Sequence, residues 1–426
     1  MPITDGSERA PARARPRGLG AIFLTVFLDL LGFSFVLPFL AAEARDVFGV
    51  TEATGALLGS TYSLMQFLFV PMWGRLSDRI GRRPVLLWSA LVVALAMVGL
   101  GLALGFGQSV VWVFVARIVA GIATATLGTA SAYIADVTPP SARAKGMGLI
   151  GMAFGLGFIL GPGIGGVLAD IPFNGRHGPY ACFAAAALSV VNVVWIAVGL
   201  PESLPPSARS VSTGPRIYPW STRVWRDALA DRGVAVAMLV NFLVLLSFTN
   251  LDQTFRYFTK DVFQLSMKGT GLVLAFVGVV AALVQGGAIR PLAARYGEVK
   301  LIRVGALLQA LAFAGIAASA HEWFDERSGF GVLLAASSVL ALGNGLSQPS
   351  SSAYISKRAP ADKQGAVLGV SQSVGSLARV FGPAMGGSLY MMGRTMPYTV
   401  AAVGMLLATL FTFRYPATYS TSTQTS

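Results

Sequence analysis

The sequence predicts an all-α polytopic membrane protein with twelve transmembrane helices in two six-helix pseudo-symmetric bundles, and three observations carry that reading. Twelve apolar stretches recur along the 426 residues, each near the roughly 20 that a helix needs to cross a hydrocarbon core of about 30 Å. Hydrophobic residues make up 54% of the chain and charged ones 12%, whereas an ordinary soluble domain carries about 25% charged residues. The second half also repeats the first at a fixed offset.

Read by apolar length, the spans fall at 19–41, 54–73, 84–104, 110–136, 145–169, 180–200, 233–256, 269–289, 299–319, 329–353, 364–389 and 396–413. The first follows Arg9, Arg13, Arg15 and Arg17, as in a signal peptide, but it runs past Pro38 without a small-residue cleavage site and reads as a retained helix. Between the sixth and seventh spans, segment 201–232 holds Pro201, Pro205, Pro206 and five arginines, with Trp220 and Trp225 suited to a membrane interface. It reads as a tether. The chain therefore divides into a tail at 1–18, a bundle at 19–200, a linker at 201–232, a second bundle at 233–413 and a tail at 414–426.

Charge sets the orientation. Of the 32 Lys and Arg, 23 lie in or beside the tails and inner loops if the amino terminus is cytoplasmic, 7 lie in outer loops and Arg117 and Arg379 lie within spans. Positive charge stays inside, so both termini are expected in the cytoplasm. The net charge of +13 thus reads as topology and not as a nucleic-acid surface. The 49 glycines suit close helix packing in lipid. A single cysteine, Cys182, rules out an intrachain disulfide and a CxxC metal cluster.

The duplication is direct. Ala132-Tyr133-Ile134 recurs as Ala353-Tyr354-Ile355, and Gly161-Pro162 with Gly165-Gly166 recurs as Gly382-Pro383 with Gly386-Gly387, both at an offset of 221. Two such halves are the usual architecture for alternating access around a midplane site. The loop Gly74-Arg75-Leu76-Ser77-Asp78-Arg79-Ile80-Gly81-Arg82-Arg83-Pro84 recurs weakly from Arg290 to Gly297. Its glycines, Gly74 and Gly81, permit tight turns and close approach, and Arg79, Arg82 and Arg83 can engage carboxylates or helix carboxyl ends.

At these residues the chain resembles the major facilitator superfamily, and within it the drug:proton antiporters related to tetracycline efflux proteins. The resemblance covers essentially residues 18–415. It implies that the loop latches one conformation, with Asp78 near the amino end of the eleventh span, and that the protein works as a monomer in a plasma (bacterial inner) membrane. The fifth span carries Gly148, Gly157, Gly161, Pro162, Gly165 and Gly166 in the spacing that the family associates with antiporters. Glycines so spaced form a groove for a facing helix, and Pro162 bends the rod. The eleventh span keeps Gly369 but has Ala378 where Gly157 has its counterpart.

Ionisable residues inside spans carry the sharpest chemistry, because a carboxylate at a helix centre costs about 2.5–3.5 kcal/mol on insertion scales. Asp29 lies roughly 15 Å from the inner surface at 1.5 Å per residue, and Arg117 about 20 Å from it on an antiparallel helix. Level placement allows an Asp29–Arg117 interaction. Low dielectric favours the neutral acid and a nearby guanidinium the carboxylate, so the pair reads as a proton-coupling device or, more simply, as a packing ion pair. The resemblance supports both residues through Gly32, Leu37-Pro38 and Gly121. Arg379 sits deep in the eleventh span without a nameable partner, and Asp252 falls near the outer surface, where a solvated role is expected. The resemblance to tetracycline-type pumps implies further acids in the second half, whereas the ninth span offers Gln309 and no acid, a departure that argues against tetracycline itself or a metal-chelated substrate.

Tyr62, Gln66, Asn241, Phe242, Gln348 and Gln372 are the polar and aromatic candidates for a substrate pocket. No Walker A sequence, Ser-His-Asp arrangement or metal-ligand cluster appears, and His177 and His321 fall in outer loops, so no enzyme, cofactor or metal is expected. The leading expectation is proton-driven export of a small amphipathic molecule through the lipid bilayer. Coupled uptake and a non-transporting receptor or scaffold are the alternatives.

Overall fold

The computed structural model describes residues 16–124, 126–138, 143–206, 209, 225–226, 229–284, 287, 289–359 and 364–415. Most of the two tails and most of the linker, Trp220 included, lie outside the described residues. The first half contains α1 (Pro16–Phe48), α2 (Glu52–Ile80), α3 (Arg82–Phe106), α4 (Val110–Ala123), α5 (Thr126–Val137), α6 (Arg143–Ala169) and α7 (Pro179–Gly199). The second contains α8 (Arg232–Phe263), α9 (Met267–Leu283), α10 (Ile289–Tyr296), α11 (Glu298–Ala318), α12 (Glu326–Arg358), α13 (Gln364–Met392) and α14 (Met396–Thr412). Among the described residues nine helices are long and apolar enough to cross a membrane, and α9 and α14 are shorter apolar helices, consistent with twelve spans. This is an all-helical polytopic membrane protein.

Several helices run beyond their apolar cores because local side chains satisfy their ends. Thr51, Ser109, Asp231, Ser266 and Asp325 each accept a backbone N–H at the first turn of the helix that follows. Apolar length ended the first span at 41 and the seventh at 256, but α1 continues to Phe48 and α8 to Phe263. Arg45, Arg256 and Lys260, expected in outer loops, are therefore helical. The fourth span is not continuous. It breaks at Thr124, whose hydroxyl donates to the Ala120 carbonyl at 2.7 Å, as threonines do when they compete with the helix ladder.

Within the first half α1 packs on α6 and α7, α3 on α7 and α2 on α4; within the second, α11 packs on α12 and α14, and α8 on α13 and α14. The halves meet chiefly where α2 touches α13 and α6 touches α9. These contacts sit toward the face opposite the termini, here called the far face. A side chain added at Gly387 would strike the Glu52 carbonyl at 2.6 Å, and one at Gly166 the Met267 carbonyl at 2.7 Å. Gly148, Gly151, Gly155 and Gly369, toward the terminal face, border open space. The halves are closed at the far face and splayed at the terminal one.

Candidate functional site

Between the splayed halves the first half presents an aromatic wall. The Phe33 and Tyr62 rings stack with centroids 5.1 Å apart, and Phe158 meets Phe33 edge-on at 6.5 Å. Arg117, 1% exposed, lies behind them with its guanidinium 4.3 Å from the Tyr62 centroid and 5.9 Å from that of Phe33. The two ring faces attract the cation. Its Nε donates to the Leu58 carbonyl at 3.5 Å, while Nη2 has no hydrogen-bond partner among the described residues. Tyr62 is fixed by a 2.9 Å bond between its hydroxyl and that of Thr124, at the break in the fourth span.

Asp29 is half-buried on α1 and accepts a hydrogen bond from Thr126, the first residue of α5. No ion pair joins Asp29 to Arg117 among the described residues, contrary to the interaction that their level placement allowed. Depth along two antiparallel helices says nothing of azimuth. The aromatic rings hold the guanidinium, and the broken helix delivers a hydroxyl to the carboxylate instead.

The second half contributes Asn241, Phe242 and Gln348, all half-buried, and Gln372, which is exposed. Gln66 on the facing wall is half-buried as well. Arg379 is half-buried in the middle of α13, donates to the Ser376 hydroxyl at 3.1 Å and lies within electrostatic reach of Tyr62. Asp252 is not the solvated surface acid expected. It is half-buried and accepts from Gln253 at 3.3 Å, because α8 continues well past it. Gln253 in turn covers Gly59 of α2. Gln309 is fully buried and ties α11 to Ser347 of α12 at 2.8 Å, a packing bond.

The terminal-face loop forms a charge cluster within its own half. Arg82 pairs with Asp78 at 2.5 Å and with Asp136 at 3.1 Å. Arg83 donates to the Ile196 and Ala197 carbonyls at the carboxyl end of α7, as expected for an arginine at a helix terminus. Glu202, which the sequence reading missed, accepts the Arg82 and Arg83 backbone N–H groups at 2.9 and 3.2 Å and so caps α3. Gly81 turns the chain between α2 and α3 at φ 107°, a conformation that favours glycine. The described contacts of Asp78 do not include the amino end of α13. With the terminal face splayed, its partner is Arg82. In the second half Asp231 caps α8 and meets Arg358 at 2.7 Å. Partial burial pushes the Asp231 carboxyl up, but the Arg358 bond and the Val234 N–H outweigh it and hold the group below the usual range.

The glycines of α6 divide into two sets. Gly157, Gly161 and Gly165 pack against Leu30, Ser34 and Phe35 of α1, with the Ser34 hydroxyl donating to the Gly157 carbonyl at 2.8 Å, and Gly166 packs on Gly271 of α9. Pro162 lies inside this stretch. A side chain added at Gly148 would meet open space, so the expected groove starts one turn or more deeper than the motif.

The far-face closure was not foreseen. Arg45 of α1 makes a two-pronged bond to Asp261 of α8 at 3.0 and 3.1 Å, and Asp261 also accepts from the Tyr390 hydroxyl at 2.9 Å. Lys260 pairs with Asp46 at 2.5 Å, and the Tyr257 hydroxyl donates to the Ala41 carbonyl at 2.7 Å. All of these bonds between the halves lie on this side.

The Major Facilitator Superfamily profile matches residues 22–383 and again 290–425. The chain is 33% identical to the tetracycline resistance protein, class C, of Escherichia coli over 86% of its own length and 88% of that protein. It is 31% identical to the major facilitator superfamily domain-containing protein 10 of Bos taurus over 92% of this chain and 91% of that one. The crystal structure of the human organic anion transporter MFSD10 superposes with a TM-score of 0.65 at 26% identity, covering 93% of this chain and 99% of the other.

Proposed function

The chain belongs to the Major Facilitator Superfamily, as a membrane transporter and not an enzyme, and from that premise we propose that it exports a small amphipathic compound in exchange for protons by alternating access. The observation that carries the reading is Asp29, a carboxylate in the body of the first span on the border of the inter-half space, held by a neutral hydroxyl rather than by a cation. An acid so placed can exist protonated or ionised as its surroundings change, which coupling requires. The related proteins bear names for tetracycline resistance and for organic anion transport, and small amphipathic compounds include both.

In this reading residues 19–200 and 233–413 are the two moving bodies, joined by 201–232. The bias of Lys and Arg supports cytoplasmic termini; on this reading the membrane is further taken to be a plasma (bacterial inner) one and the chain to act as a monomer. The loop at 74–83 latches the terminal side once that side closes, and the α6 glycines keep α1 and α9 close enough to prevent leak. Everted membrane vesicles test the proposal. With an imposed proton gradient they accumulate compounds from a diverse panel, and an uncoupler abolishes that accumulation. Gradient-driven accumulation by intact cells instead would make the protein an uptake carrier.

A further inference from the structure

We propose that Arg379 anchors an anionic headgroup, so that the transported compound is an aromatic carboxylate whose ring lies on the wall of Phe33, Tyr62 and Phe158. The inference rests on the export reading only for the direction of transport. A guanidinium in the body of a span needs compensation. Toward the span ends Arg256 and Arg303 bond to carbonyls and hydroxyls, and Arg45, Arg82, Lys260, Lys357 and Arg358 all meet carboxylates. Arg379 does not. Its hydrogen bond goes to Ser376 of its own helix, and among the described residues no acid pairs with it or with Arg117. Arg117, 1% exposed, also leaves Nη2 without a partner. Arg117 thus lies on Tyr62 and Arg379, from the other half, lies within electrostatic reach of it, while Asp29, also within reach of Tyr62, is engaged by Thr126.

The repeat fixes the direction in which Arg379 acts. At the offset of 221 its counterpart in the first half is Phe158, which touches Phe33 on the aromatic wall. A position that lines the space between two pseudo-symmetric halves has an equivalent that lines it from the other side. Arg379 therefore stands across that space from a π surface. A planar ring satisfies the wall, and a carboxylate satisfies a guanidinium fork through two parallel N–H bonds.

The test uses the full chain purified in detergent and equilibrium dialysis of matched triplets: naphthylacetate, naphthylacetamide and naphthylethylamine, with further triplets on larger ring systems. The carboxylates bind, and their amides and amines bind about tenfold more weakly or worse. Arg379→Gln raises the carboxylate Kd about tenfold or more, the loss expected for one charge-assisted hydrogen bond, and Arg379→Lys recovers most of it. Equal binding within triplets, an unchanged Kd in Arg379→Gln, or no carboxylate bound by the wild type overturns the proposal. If Arg379→Gln does not fold, the wild type decides: a bound carboxylate shields Arg379 from phenylglyoxal, and unshielded modification refutes the site. Arg379-dependent binding without gradient-driven flux keeps the site and refutes export; gradient-driven export confined to neutral or cationic compounds does the reverse.

Discussion

Asp261→Asn should open the far face. The native carboxylate takes two bonds from Arg45 and one from Tyr390, and the Arg45 and Asp261 side chains are only 18% and 22% exposed. A fully exposed ion pair is worth about 0–1 kcal/mol and a charged hydrogen bond about 1.5–3, so losing the charge at this partly buried, two-pronged site should cost the closed state about 2 kcal/mol. Every 1.4 kcal/mol is tenfold, which makes the far-open population rise about 30-fold. The reporter is Ser60→Cys, 7% exposed and bonded to the Ala384 N–H at 3.1 Å in the native closure, in a background where the buried Cys182 is replaced by alanine. A membrane-impermeant maleimide applied to the far face should label it about 30-fold faster in Asp261→Asn than in the parent, and the swap Arg45→Asp with Asp261→Arg should restore protection. An unchanged labelling rate refutes the assignment of this pair as the closing contact.

Two further substitutions probe the other moving parts. In Gly157→Leu the new Cβ would stand 3.2 Å from Leu30 Cβ and 3.3 Å from the Leu31 nitrogen; overpacking should cost about 1–3 kcal/mol and uncouple or slow transport, and normal coupled turnover in vesicles would reduce the glycine to ordinary packing. Asp78→Asn keeps size and removes charge, so the protein should insert at normal abundance while transport falls sharply; wild-type flux at equal abundance would show that the Asp78–Arg82 pair of this state has no counterpart in the latched one.

Apolar length made the spans legible because lipid allows few other solutions, and the repeat at an offset of 221 made the two halves legible. Arg83 at the end of α7 was also foreseeable, since a basic loop beside a helix terminus has few better partners. What escaped was azimuth and extension. The Arg45–Asp261 closure joins residues at a separation of 216 on two helices that were cut short at 41 and 256. The Asp29–Arg117 interaction that level placement allowed is not made, and neither the break at Thr124 nor the rings of Phe33 and Tyr62 leave a signal in span hydropathy that could have shown it. Gly59 beneath Gln253 and Glu202 above α3 belong to the same class: contacts between elements whose rotation about their own axes no periodic pattern specifies.

Asp29 is the expected site of proton coupling, and its geometry sharpens how that is tested. One proton moving inward through about 100 mV releases roughly 2.3 kcal/mol, and this can drive export only if the protonation of one group is tied to which face is open. In the state open at the terminal face, Thr126 holds the carboxylate, and Thr126 begins a helix segment that is separated from Arg117 by a break. A rotation of the first half that moved this break would change the donor presented to Asp29 without moving α1. Asp29→Asn mimics the neutral acid and should retain substrate binding while abolishing gradient-driven export. Thr126→Val should leave the acid in place but shift the pH at which export is half-maximal. The decisive measurement is proton release on substrate addition to the detergent-solubilised protein, wild type against Asp29→Asn. Undiminished release from the mutant would move the coupling site elsewhere, with Asp252, half-buried beside Gln253 at the interface of α8 and α2, next to be replaced.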